Sequence, residues 1–285
     1  MRRTAPSETG DVRMSGWPQD AVVDALTEEW KVIDALLAEL DGDQWLAPSN
    51  LPGWTVHDIV SHLIGTESLL AGINPPSIDL DVHALPHVHN EIAAFNERWV
   101  EGLRRTPHAD LLAHYRDITA TRADALRSMT GADWDAETQT PVGLAPYGRF
   151  MRIRTFDCWM HELDIRDAVG IPGEEGGLRA ETAFGEITSA LGFVVGKRGK
   201  APEGARITFE LEGPLARSLH ISVDARATLV PELDGPATTT ISMSSPLFTR
   251  IAGGRVHASD HRTDISLRGD TTVGARVVDN LAFTI

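Results

Sequence analysis

The hydrophobic period of this chain changes once, near residue 200, and that change limits the folds open to it. Before it, Val22, Val23, Leu26, Trp30, Ile33, Leu37 and Leu40 recur at helical spacing in a segment that begins at Pro18. After it, Ile207-Thr-Phe-Glu-Leu211, Leu219-His-Ile-Ser-Val223, Ala227-Thr-Leu-Val230 and Thr239-Thr-Ile-Ser-Met243 alternate as strands do. The expectation is an all-helical domain over residues 18–200, then a small α+β domain over 201–285, with residues 1–17 a loose polar leader.

Further helices are expected from Thr55 and over 88–103, 108–129, 149–169 and 178–196. Thr55, with Asp58 three residues on, reads as an N-cap. Gly170-Ile-Pro-Gly173 should end the 149–169 helix. Residues 74–87 and 130–148, rich in proline, glycine and aspartate, read as two long loops. In the second domain, residues 246–252 and 271–281 read as helices and 263–269 as a strand.

Charge excludes some functions. Acidic residues number 41 against 26 basic, a formal net charge of −15. Such a body repels phosphate backbones and anionic lipid, so neither nucleic acid nor a membrane surface is an expected partner. No apolar run approaches the length of a bilayer span, and the Arg2-Arg3 pair is not followed by an apolar stretch, so no export signal is expected. Cys158 is the lone cysteine, which rules out an internal disulfide or a cysteine-rich zinc site and suits a reducing cytoplasm. No heptad seam marks a coiled-coil interface.

Chemistry concentrates in Arg154-Thr-Phe-Asp157-Cys-Trp-Met-His161-Glu-Leu-Asp164. In a helix Ile153, Phe156, Met160 and Leu163 form an apolar stripe, and Arg154, Asp157, His161 and Asp164 a polar one beside it. Asp157 and His161, four apart, face the same way and are able to hold two corners of one divalent ion. His62, on the helix opened by Thr55, offers a third, and three protein ligands leave a position for water or substrate. The plain alternatives are a helix-face hydrogen bond for Asp157–His161 and a core histidine for His62. Asp58 is either a cap or an acceptor that orients the His62 ring. His83, His87 and His89 form a loop cluster without a rigid frame, and His57 faces elsewhere on its helix. Cys158 reads as a small buried hydrophobe.

Two segments carry a resemblance. Leu51-Pro-Gly-Trp54-Thr-Val-His-Asp58-Ile-Val-Ser-His62-Leu and Arg154-Thr-Phe-Asp157-Cys-Trp159-Met-His161-Glu-Leu-Asp164-Ile-Arg166 resemble the two signatures of the DinB-like, mycothiol-dependent maleylpyruvate isomerase family. The resemblance covers nearly the whole chain and implies a DinB-like four-helix bundle followed by a small sterol-carrier-like α+β domain. It implies a metal triad on His62, Asp157 and His161, with zinc the expected ion and mycothiol the cosubstrate. The isomerases of the family carry glutamate where this chain has Asp157, which shortens the reach to the metal by one methylene and counts against that particular reaction. The resemblance further implies an active-site arginine in the C-terminal domain. Leu247-Phe-Thr-Arg250-Ile-Ala-Gly-Gly254-Arg255 is its counterpart, with Arg255 chosen over Arg250.

The implied function is metal-dependent addition or transfer of mycothiol to an electrophilic small molecule, as an S-transferase or a cis–trans isomerase. A metal-dependent hydrolase on the same bundle is an alternative, with Glu162 or Asp164 the nearest candidate bases, although Glu162 faces away from the triad. A binding protein for an apolar ligand and a regulator with a protein partner are the non-enzymatic readings.

Overall fold

The computed structural model describes residues 18–284; the leader expected over 1–17 lies outside them. In chain order the elements are α1 (Gln19–Glu39), α2 (Gly42–Trp45), α3 (Val56–Leu70), α4 (Glu91–Leu103), α5 (His108–Ser128), α6 (Gly131–Asp135), β1 (Glu137–Thr140), β2 (Gly143–Pro146), α7 (Tyr147–Val169) and α8 (Gly177–Phe193). Then come β3 (Arg206–Glu212), β4 (Arg217–Val223), β5 (Ala227–Val230), β6 (Thr239–Ser244), α9 (Ser245–Ala252), β7 (Ser266–Gly269) and α10 (Thr271–Asp279).

The four long helices α1, α3, α5 and α7 form the bundle, with α1 against α5 and α7, and α3 against the same two. Their apolar stripes meet in a core that includes Leu26, Ile33, Leu37, Ile59, Leu63, Leu111 and Tyr115, all nearly inaccessible to solvent. Helix α4 lies outside α3, and the approach is close: a Cβ on Gly65 would sit 2.4 Å from Cγ of Trp99. Local signals place the helix ends. Thr55 and Asp58 form a reciprocal capping box at α3, and Gly170 closes α7 in the left-handed conformation (φ +69°).

The C-terminal sheet runs β5-β4-β3-β6-β7, antiparallel except for the parallel β3–β6 pair. One face buries Ile207, Phe209, Leu211, Ile221, Ile241 and Met243. Helices α8, α9 and α10 share this core, and so do Phe156, Trp159, Met160 and Leu163 of α7. Helix α7 therefore has two apolar faces: Met151, Cys158 and Ile165 belong to the bundle core. Its polar stripe runs along the seam between them.

The structure departs from the sequence expectations in three places. Residues 130–148, expected as a loop, hold the one-turn helix α6 and the β1–β2 hairpin. Thr130 and Asp133 cap that helix reciprocally, and Gly143 takes φ +98° at the hairpin turn, so local hydrogen bonds replace the long apolar pattern that flags an element. The strand expected over 263–269 begins at Ser266, because Ala258–Asp264 coils into 3-10 turns. Near residue 200 helix does give way to strand, yet the cores divide earlier in the chain: α8 lies over the sheet, where a Cβ on Gly192 would come within 2.7 Å of the Ala227 carbonyl oxygen. No helix among the described residues is long and apolar enough to cross a membrane.

Candidate metal centre

The capping box fixes where α3 starts and so where His62, two turns in, emerges toward α7. Asp157 and His161 project from the middle of α7 one turn apart. The three side chains meet. Nε2 of His62 lies 3.3 Å from Oδ2 of Asp157, and Nε2 of His161 lies 3.6 Å from Oδ1. One ligand-capable atom from each lies within 4.8 Å of the others, and no other such group of three occurs among the described residues. Metal–ligand bonds of 2.0–2.1 Å in a tetrahedron place ligand atoms about 3.3 Å apart. The two imidazole–carboxylate separations are close to this, on different oxygens of Asp157, so a small rotation of these side chains would bring the three groups onto one small divalent ion. Both imidazoles are buried, while the Asp157 side chain keeps 31% of its exposure, so the set opens to solvent on the carboxylate side.

Electrostatics favour the ligating forms. Burial holds the His62 imidazole below its ordinary range, and Asp157 offsets this only in part, so the ring stays neutral with a lone pair to give. Burial pushes the Asp157 carboxyl up, but the Arg154 guanidinium bonded to it leads the groups that more than reverse this and leave it well below the usual carboxylate range. His161 Nδ1 donates to Oδ2 of Asp164 over 3.0 Å, which leaves Nε2 as the acceptor that faces Asp157. Asp164 has no solvent exposure and is gripped in turn by Arg255, through Nε at 2.9 Å and Nη2 at 2.8 Å.

Arg255 thus reaches the site from the C-terminal unit and bonds to a carboxylate of the protein. Its Nη1 donates to the Gly253 carbonyl oxygen. Three of the guanidinium's five N–H groups are used, leaving one on each terminal nitrogen. Arg250 is held by Asp167 and Glu175.

The remaining sequence candidates separate. Asp58 is a cap: its carboxylate accepts from Thr55 and Arg104 and does not bond to His62. His57 Nε2 pairs with the Thr106 carbonyl, away from the triad. His83, His87 and His89 do not assemble; His87 instead joins Glu97, 2.8 Å away, and the same Glu97 oxygen accepts from Trp54 Nε1. The Trp54 ring stands beside both histidines, with centroids 5.3 Å from His62 and 6.4 Å from His161, and forms a wall of the site. Cys158 is fully buried, and that burial pushes its thiol well above the usual range. Glu162 is bound by Arg166 and Arg179. Sequence reasoning missed Trp54 as a wall, and Glu97, Glu67 and Arg122 altogether. Their only signal is a charged or amphipathic residue on the apolar side of its helix.

Against known proteins, residues 26–166 match the model for the mycothiol maleylpyruvate isomerase N-terminal domain, and residues 181–276 match the C-terminal domain of that family. The chain belongs to this family. It is accordingly an enzyme, a mycothiol-dependent isomerase or transferase. The crystal structure of the mycothiol-dependent maleylpyruvate isomerase shares the fold, with a TM-score of 0.56 at 19% identity over 88% of this chain and 93% of that one. A histidine-to-alanine mutant of that isomerase superposes with a TM-score of 0.53 over the same shares. Uncharacterized proteins of two Mycobacterium tuberculosis strains, H37Rv and CDC 1551 / Oshkosh, are each 25% identical over 185 residues, 64% of this chain and 69% of theirs.

Proposed function

We propose that this enzyme joins the thiol of mycothiol to an electrophilic carbon of a small molecule, at a divalent metal held by His62, Asp157 and His161. The observation that supports this most is the convergence of two imidazole nitrogens and one carboxylate at 3.3–3.6 Å. A bound divalent ion, with zinc well suited to this donor set, would supply positive charge that favours thiolate over a thiol of ordinary pKa about 8.5. One carboxylate and two neutral imidazoles leave such a site at net +1, which suits an anionic sulfur.

The chain's own groups do the rest. Asp164 holds the proton on His161 Nδ1 and so keeps Nε2 free. Trp54, tied to Glu97, closes one side of the site against water. Arg255, through its two remaining N–H groups, is our choice for holding an anionic oxygen of the electrophile in a two-pronged contact. If the thiol adds and stays, the product is a conjugate and the enzyme is an S-transferase. If addition, rotation about the former double bond and expulsion follow, it is a cis–trans isomerase. We assign the reaction to the cytoplasm, which suits a lone reduced cysteine. The hydrolase reading finds less support, because Glu162 and Asp164 are both committed to arginines.

The test is incubation of metal-loaded protein with mycothiol and an electrophile, with products followed by mass. A conjugate or a geometric isomer that depends on mycothiol is expected. Turnover with water alone would overturn the reading in favour of a hydrolase.

A further inference from the structure

Behind the triad lies a line of buried charges that the reaction does not itself require. Arg122 on α5 donates through Nε to Oε2 of Glu67 on α3, at 3.1 Å. The other oxygen of Glu67 accepts from Nε of Arg154 on α7, at 2.9 Å. Nη1 of Arg154 then bonds to Oδ2 of Asp157, and its Nη2 lies 3.4 Å from the Cys158 sulfur. The side chains of Arg122, Glu67 and Arg154 retain only 4%, 1% and 3% of their exposure. Tyr147 ends the line, its hydroxyl accepting from Nη2 of Arg122 at 2.7 Å.

We propose that Arg154 is a positioning residue for the metal site: through its bond to Oδ2 it fixes the orientation in which the short Asp157 carboxylate faces both His62 and His161. The inference rests on the metal reading above. Aspartate has only two rotatable bonds between backbone and carboxylate, and its oxygens are turned by whatever they bond to. Here Oδ2 carries the guanidinium and lies 3.3 Å from His62 Nε2, while Oδ1 lies 3.6 Å from His161 Nε2. Arg154 cannot follow a moving carboxylate, because Glu67 fixes its Nε edge and Arg122 fixes Glu67. Charge alternates along the line, from Arg122 through Glu67 and Arg154 to Asp157, so each member is compensated in a region where an unpaired ion would be unstable. Lysine in place of Arg154 keeps the charge but loses the fork, and a single ammonium cannot serve Glu67 and Asp157 at the fixed spacing.

The test is zinc affinity by chelator competition, with thermal melts as a folding control and cobalt(II) absorption as a report on coordination. Arg154→Lys is expected to weaken zinc binding about 10–100-fold, the range for residues that orient a ligand. The cobalt absorption of that variant should change as the freed Asp157 carboxylate turns. Arg122→Lys, two links further away, should shift zinc affinity by less than about threefold. A folded Arg154→Lys protein with wild-type zinc affinity and an unchanged cobalt spectrum overturns the proposal. Should Arg154→Lys not fold, Glu67→Gln loosens the tether from the other end: a loss of about tenfold supports the proposal, and unchanged affinity overturns it. A wild-type protein that takes up no metal overturns the metal reading itself, a result distinct from tight wild-type binding that the variants leave unmoved.

Discussion

Replacing Asp164 by asparagine tests the link between the C-terminal unit and the triad. The carboxylate is fully buried and accepts three bonds, from His161 Nδ1 at 3.0 Å and from Arg255 Nε and Nη2 at 2.9 and 2.8 Å. Asparagine keeps the shape but brings an NH2 that opposes either Arg255 Nε at the Oδ1 position or both His161 Nδ1 and Arg255 Nη2 at the Oδ2 position. Arg255 also loses its countercharge. Leaving a buried charge uncompensated costs about 3–5 kcal/mol, and the 11% exposure of the Arg255 side chain points to the lower end, about 3 kcal/mol. If the NH2 faces His161, Nδ1 must become the acceptor and the ring proton moves to Nε2, the nitrogen offered to the metal. Metal affinity should then fall about 10–100-fold, or 1.4–2.8 kcal/mol. Urea unfolding of metal-free protein measures the first effect and chelator competition the second. A variant within about 1 kcal/mol of wild-type stability, with unchanged zinc affinity, would refute the view that Asp164 couples Arg255 to His161.

Other outcomes follow from the same contacts. Because burial lowers the His62 pKa, the unfolded chain takes up a proton near pH 6.5 that the folded chain refuses, so metal-free stability should fall as pH drops from about 7 to 5. His62→Gln should flatten that slope, and identical slopes in the two proteins would remove the assignment. Gly65→Ala places a methyl 2.4 Å from Trp99 and should destabilise by about 1–3 kcal/mol in urea unfolding. Cys158→Ser should keep mycothiol-dependent turnover, since the buried thiol is held well above its usual pKa; abolished turnover with intact metal binding would make Cys158 the nucleophile.

Much of the site was legible because helices impose a fixed spacing. Asp157 and His161 share a face by virtue of being four apart, and Thr55 with Asp58 fixes the start of α3 and hence the place of His62. The changeover from helix to strand could be read for the same reason. Alliances between distant elements could not. Glu67, Glu97 and Arg122 show in the sequence only as charges on the apolar side of a helix, and tertiary contact alone reveals the partner, 10 to 87 positions away, against which each is buried. Two acids, Asp58 and Asp164, each stand within four residues of a triad histidine; the capping box claims one and the Arg255 fork claims the other. Helix α8 carries helical periodicity like its predecessors, yet its apolar face matches the sheet rather than the bundle, a choice no local pattern records.

X-ray absorption at the zinc edge, taken on zinc-loaded protein before and after addition of mycothiol, bears most directly on the proposed metal site. Two imidazole nitrogens and a carboxylate oxygen should be present throughout, and mycothiol should add one sulfur at about 2.3 Å. A spectrum without imidazole scattering, or one that gains no sulfur on saturation with mycothiol, would contradict the account.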